Sequence, residues 1–158
     1  MKKKHQSKTK IGLSGFTLIE LIIVIAIIGI VAAIAATSAL ATRVQANEGA
    51  VKGSLKTIQS ASVSYRGAQG AYPANLTALG ASYLGGGLET GIKSGYNFTL
   101  ASGNQGETFT CTAAPRSANY TGVRSYCTDV YNVIYMYNTA TISADGTACP
   151  PNGTPLTG

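Results

Sequence analysis

The sequence predicts an α+β fold: one long N-terminal helix packed on a small antiparallel sheet of about four strands. Three observations carry that expectation. An uncharged, strongly apolar run extends from Leu21 to Thr42. An apolar stripe of Val51, Leu55, Ile58 and Tyr65 follows at helical spacing. Behind it, short runs rich in Thr, Phe and Tyr are separated by Gly, Asn and Pro, the pattern of strands and turns.

The elements follow in order. Residues 1–15 are short and basic, with Lys2, Lys3, Lys4, Lys8 and Lys10 ahead of Gly15. The 158-residue chain carries a net charge of +6, and these lysines account for most of it. The body is close to neutral and has no basic stripe, so no nucleic-acid partner is expected. A basic end before an apolar run is instead a positive-inside signal, with the basic end cytoplasmic and the body exported. Residues 16–42 are long enough, at 1.5 Å per residue, to cross a bilayer core of about 30 Å. Leu21 to Ile28 are apolar on every side. The second half is Ala-rich, with Gly29/Ala33, Ala32/Ala36 and Ala35/Ala39 at the small-xxx-small spacing that lets helices approach closely. Residues 43–66 continue as an amphipathic helix, and Gly67, Gly70 and Tyr72-Pro73 end it. Gly49 and Gly53 weaken it by about 1 kcal/mol each.

Residues 67–158 form the head. Residues 67–95 read as an ordered, Gly-rich loop with one helical turn, anchored by Tyr72, Pro73, Leu76, Leu79, Tyr83 and Leu84. Strands are expected over 96–100, 108–112, 123–128 and 130–137. The tail from Ala144, with Gly146, Pro150, Pro151, Gly153 and Pro155, reads as irregular.

Glu20 stands out. It lies at the start of an apolar segment, where a charged group costs about 2.5–3.5 kcal/mol. An anchor would do better with Leu, so the carboxylate calls for a partner. A carboxylate near the membrane boundary could also snorkel to the headgroups.

No catalytic constellation is present. His5 is the only histidine, and Asp129 and Asp145 have no adjacent carboxylate or base. No enzyme activity, cofactor or metal is expected: there is no CxxC pair, and the loops are too poor in acids for calcium. Cys111, Cys127 and Cys149 lie in the exported part, where disulfides form. Cys111 and Cys127 fall on neighbouring strands across the turn at 115–122. Cys127 with Cys149 would instead staple the tail to the sheet. The spacing leaves both pairings open.

Gly15-Phe16-Thr17-Leu18-Ile19-Glu20-Leu21-Ile22-Ile23-Val24-Ile25-Ala26-Ile27-Ile28-Gly29-Ile30, behind a basic leader, resembles the type IV pilin and pseudopilin superfamily. The resemblance is strong over residues 10–45 and weaker in the head, where Tyr72-Pro73-Ala74-Asn75-Leu76 and Gly122-Val123-Arg124-Ser125-Tyr126 are similar to segments of small pilin-like heads. It implies a leader of residues 1–15, an assembly segment of 16–42, an amphipathic helix of 43–66 and a head of 67–158. It implies cleavage between Gly15 and Phe16 by a prepilin peptidase and methylation of the Phe16 amine. Glu20 would act in assembly, as counter-charge to that amine in a neighbouring subunit. The implied partners are identical or related subunits, an assembly ATPase and an inner-membrane platform protein. The implied locations are the bacterial inner membrane and then a surface pilus or a periplasmic type II secretion pseudopilus. Pilin-like heads often tie down a C-terminal segment, which favours Cys127–Cys149. One departure is Thr37, where many major pilins carry Pro.

Two other readings compete. Ala39-Leu40-Ala41 fits the A-x-A site of an ordinary secretory signal, which would leave Thr42 as the mature terminus. The chain could also be a membrane-anchored binding module that never polymerises.

Overall fold

The computed structural model describes residues 15–143 and 145–156, without the side chains of 36–38. The basic leader, Gly15 excepted, lies outside them. The chain divides into two units, one ending at Ser38 and the other beginning at Ala39.

Helix α1 runs over Leu18–Gln69. It passes through Gly49 and Gly53 and extends beyond the expected end near residue 66. Gly70 stops it, with φ +80° and its N–H bonded to the Arg66 carbonyl at 2.8 Å. Gly is the residue that reaches this left-handed conformation without strain, and it is the usual one to follow a helix end. After the turn at Tyr72-Pro73 comes α2 (Leu76–Tyr83), kinked at Gly80. Asn75 caps it by accepting from the Ala78 N–H at 2.8 Å. The expected single helical turn is thus a short helix, which buries Leu76 and Leu79.

The sheet has six strands in sequential antiparallel order, against about four expected. They are β1 (Ile92–Lys93), β2 (Tyr96–Gly103), β3 (Thr108–Pro115), β4 (Ser125–Asp129), β5 (Ile134–Tyr137) and β6 (Thr154–Leu156). The two extra strands are the edges. β1 exists because Ser94-Gly95, both at positive φ, turns the chain tightly enough to pair Lys93 with Tyr96. β6 comes from the tail read as irregular, and it pairs with β5 at Ile134↔Leu156. Its Pro155 is tolerated because an edge strand has a free side.

Register decides which side chains share a face. Phe98, Ala113, Tyr126 and Met136 lie in one cross-strand row, and Leu100, Cys111, Thr128 and Ile134 in another. These face α1: Tyr126 and Thr128 bond its Glu48 and Gln59. Val51, Leu55 and Ile58 are fully buried with Tyr96, Phe98, Phe109 and Cys111 in the resulting core. Each such aliphatic side chain contributes about 1.5–3 kcal/mol. At the far end of α1, Arg66 ion-pairs Glu107 at 2.6 Å and lies over the Tyr72 ring, which packs on Phe109.

The opposite face carries Thr110, Thr112, Ser125, Cys127 and Asp129. All are buried, although their side chains point away from α1. The segment after β5 covers them. Gly146 N–H donates to Thr110 Oγ1 at 2.9 Å, Cys149 N–H to Asp129 Oδ2 at 3.3 Å, and Ser125 Oγ to the Thr139 carbonyl at 2.7 Å. Tyr137 OH donates to the Pro150 carbonyl at 2.7 Å. Coverage on both faces explains why β4 is buried at every position, where a sheet with one wet face would alternate.

The 116–124 loop is fixed to α1 by Glu48, which is 8% exposed. Its carboxylate accepts from the Val123 and Arg124 N–H groups at 3.1 and 3.3 Å and from Tyr126 OH at 3.2 Å, and it ion-pairs Arg124 at 3.3 Å. Tyr96 OH donates to the Arg124 carbonyl at 2.9 Å. Gly122 lies against the Tyr96 ring, and a Cβ there would collide with the phenol.

Two outcomes follow for the head, read by denaturant unfolding of the full chain in detergent. Gly53→Ala, where an added Cβ meets nothing within 4 Å, stabilises it by about 1 kcal/mol, whereas Gly122→Ala destabilises it by about 2 kcal/mol. The phenols of Tyr126 and Tyr137 are pushed up to about 12, first by burial and then by nearby charge and phenol groups. Unfolded, they ionise near about 10. Between those values the folded chain holds more protons than the unfolded one, so a pH series shows stability falling as pH rises through that window.

Candidate processing and assembly site

Gly15, Phe16 and Thr17 precede α1 in non-helical, exposed backbone. Nothing lies within 4 Å of where a Gly15 Cβ would be, and Phe16 is 81% exposed. Among the described residues, nothing packs against Gly15. By contrast, Ala39-Leu40-Ala41 lies inside α1, where the backbone is already hydrogen-bonded.

Thr17 and Glu20 close a reciprocal pair at the start of α1. The Thr17 N–H and Oγ1 donate to Glu20 Oε2 at 3.1 and 2.7 Å. The Glu20 N–H donates to Thr17 Oγ1 at 3.3 Å. With Leu18 as the first helical residue, this is a capping box: Thr at the cap, Glu three residues on. Sequence reasoning singled out Glu20 but not Thr17. The signal was present, since Thr17-Leu18-Ile19-Glu20 has the T-x-x-E spacing ahead of an apolar run.

The cap is worth about 1 kcal/mol, less than the cost of about 2.5–3.5 kcal/mol for a carboxylate in an apolar medium. Hydrogen bonds from Thr17 alone do not balance that cost. A cation brought to Glu20 would recover a further part of it.

From Phe16 to Ile34, every large apolar side chain is exposed, from Val24 at 46% to Phe16 at 81%. Gly29, Ala32, Ala33 and Ala35 are exposed with them, and Gly29 has nothing against it. The side chains of Ala36 and Thr37, also singled out, lie outside the described residues. Among the described residues α1 is the one helix long and apolar enough to cross a membrane. Such a surface is stable only against lipid or other apolar helices.

The head holds the cysteines. Cys127 is bonded to Cys149, across a sequence separation of 22, and Cys111 is free and buried. Register explains the choice: Cys111 stands opposite Thr128 and Cys127 opposite Thr112, so the two side chains emerge on opposite faces of the sheet. Cys127 faces the tail, and Cys111 faces α1, where burial pushes its thiol up. Among the described residues, no group of three or more His, Cys, Asp or Glu side chains could hold a metal.

Residues 14–36 match a family model described as the prokaryotic N-terminal methylation motif. The chain thus carries the prepilin-type signature of type IV pilins and pseudopilins. No curated protein matches the chain.

The capping box predicts a split between two variants of the full chain in micelles. Thr17→Val loses about 1 kcal/mol of cap and removes the acceptor of the Glu20 N–H, so hydrogen exchange at that amide accelerates. Glu20→Gln keeps the box, because Gln serves at that position, and exchange there stays close to wild type.

Proposed function

We infer that the chain is a pilin-like precursor and that its mature form is a structural subunit of a type IV pilus or type II secretion pseudopilus. The observation that carries this reading is the methylation motif lying over an exposed apolar helix that begins beside Phe16. The apolar half of α1 stores the chain in the inner membrane with its N-terminus cytoplasmic and its head exported. A prepilin peptidase cleaves between Gly15 and Phe16, and the new Phe16 amine is methylated. The subunit is then drawn into a helical polymer by an assembly ATPase acting through a platform protein. The apolar helices form the polymer core and the heads its surface.

Glu20 meets the Phe16 amine of a neighbouring subunit in that core. The pair replaces an uncompensated charge with a compensated one, and a misregistered neighbour leaves both charges unmatched. The capping box fits this role because it fixes the carboxylate at the helix start while leaving Oε1 with no bond to its own chain among those described.

The mature N-terminus, read by mass spectrometry, is methylated Phe16 in this reading, and sheared surface or periplasmic filaments contain the chain. A terminus at Thr42 would instead identify an ordinary secreted protein. Glu20→Gln and Glu20→Ala both leave cleavage intact and abolish or sharply reduce filaments by electron microscopy. If Gln supports normal filaments and Ala does not, Glu20 acts as a cap and not as a counter-charge.

A further inference from the structure

We propose that the loop carrying Tyr120 is a membrane-docking element, which with Arg43 binds the phospholipid headgroup layer while the subunit is stored. The proposal rests on the membrane-anchor reading above. Arg43 is the first charged residue after the apolar run, one position beyond Thr42. The headgroup layer on each side of a bilayer core is about 5–8 Å thick. Arg43 to Asn47 rise about 6 Å along a helix. Whatever is held level with these residues therefore lies at headgroup depth.

The structure holds Tyr120 there. Asn47 Nδ2 donates to the Thr121 carbonyl at 2.9 Å, and Glu48 bonds Val123 and Arg124 just beyond. The loop is also braced within itself: Thr121 N–H and Oγ1 donate to the Ser117 carbonyl at 2.9 and 3.1 Å, and Asn119 N–H donates to the Gly122 carbonyl at 2.9 Å. Beside the exposed polar side chains of Arg116, Ser117, Asn119 and Arg124, the loop shows two apolar ones to water, Tyr120 at 67% and Val123 at 49% exposed. Tyr120 and Thr121 form one wall of a cleft of about 340 Å³, with Arg43, Ala46 and Asn47 as the other. Among the described residues, Arg43 has no carboxylate within ion-pair distance.

The lining suits a phospholipid. A guanidinium matches a phosphodiester, the Asn47 amide lies beside it, and a tyrosine offers an apolar ring with a polar tip, which is why the type is enriched at membrane interfaces. Tyr131, which is also exposed, serves as a contrast. Its neighbour Asn132 lines a cleft with Lys56 and Gln59, about 20 Å farther along α1 from Arg43.

The chain contains no Trp, so single-Trp variants report without background. The full chain is reconstituted in anionic phospholipid vesicles as Tyr120→Trp, Tyr131→Trp or Ile28→Trp. Quenching is read with lipids brominated close to the headgroup or deep in the acyl chains. The expected result is deep quenching at position 28, shallow quenching at 120 and none at 131. Adding Arg43→Gln lowers the ratio of quenched to unquenched Trp at position 120 about fivefold. Quenching at 28 with position 120 as silent as 131 overturns the docking and leaves the anchor standing. Silence at 28 overturns the anchor and the docking together. An emission shift at 120 that follows protein density and ignores brominated lipid would assign the loop to contact with a second copy, which also overturns the proposal.

Discussion

A carboxylate removed from water must be given hydrogen bonds or a cation, and both glutamates of α1 are subject to that constraint. Glu48 meets it within the chain. Two backbone N–H groups, the Tyr126 hydroxyl and the Arg124 guanidinium converge on it, and the demand for them fixes the 116–124 loop against the helix. Tyr96 then closes on the same loop through the Arg124 carbonyl. Among the described residues, Glu20 has Thr17 alone. The same helix thus carries one carboxylate completed by its own fold and one completed only at the level of a cap. The incomplete one lies in the part of the chain whose apolar surface is wholly uncovered.

The head is built around the same economy of partners. A sheet of short strands has two faces, and neither is left wet over its central strands. α1 supplies an apolar stripe to one. The segment after β5 supplies backbone N–H and C=O groups to the other, which is why that face is lined by Thr, Ser and Asp and not by aliphatic residues. The Cys127–Cys149 bond ties the cover to the central strand and adds about 3 kcal/mol in a head with a small core. Gly146 is needed where the cover turns: at φ +85° it packs against the Ser102–Gly103 backbone, which no side chain would permit.

Much of this was legible in the sequence. The long helix follows from an apolar run joined to a stripe at helical spacing, and the four central strands follow from runs of Thr and aromatic residues between turns. The edge strands were not legible, because β1 depends on a two-residue turn and β6 on pairing by a Pro-rich segment that local propensity reads as coil. The cysteine pairing needed register, since a shift of one residue puts Cys111 on the other face from Cys127. Gly15, Phe16 and Glu20 were visible as a local motif. Thr17 was visible too, as the cap position of the T-x-x-E spacing. The role of Glu48 was out of reach, because its partners lie some 75 residues away in a loop whose course depends on the whole sheet.

The central claim is that Glu20 is completed by another subunit. Zero-length cross-linking tests it most directly. Filaments grown from an equal mixture of subunits labelled with light and heavy nitrogen are treated with an apolar carbodiimide and digested. The account predicts an amide between the Glu20 carboxyl and the Phe16 amine, with mixed-isotope peptides as abundant as random pairing of subunits requires. Cross-links confined to single-isotope peptides, or Glu20 recovered unlinked from intact filaments, would contradict it.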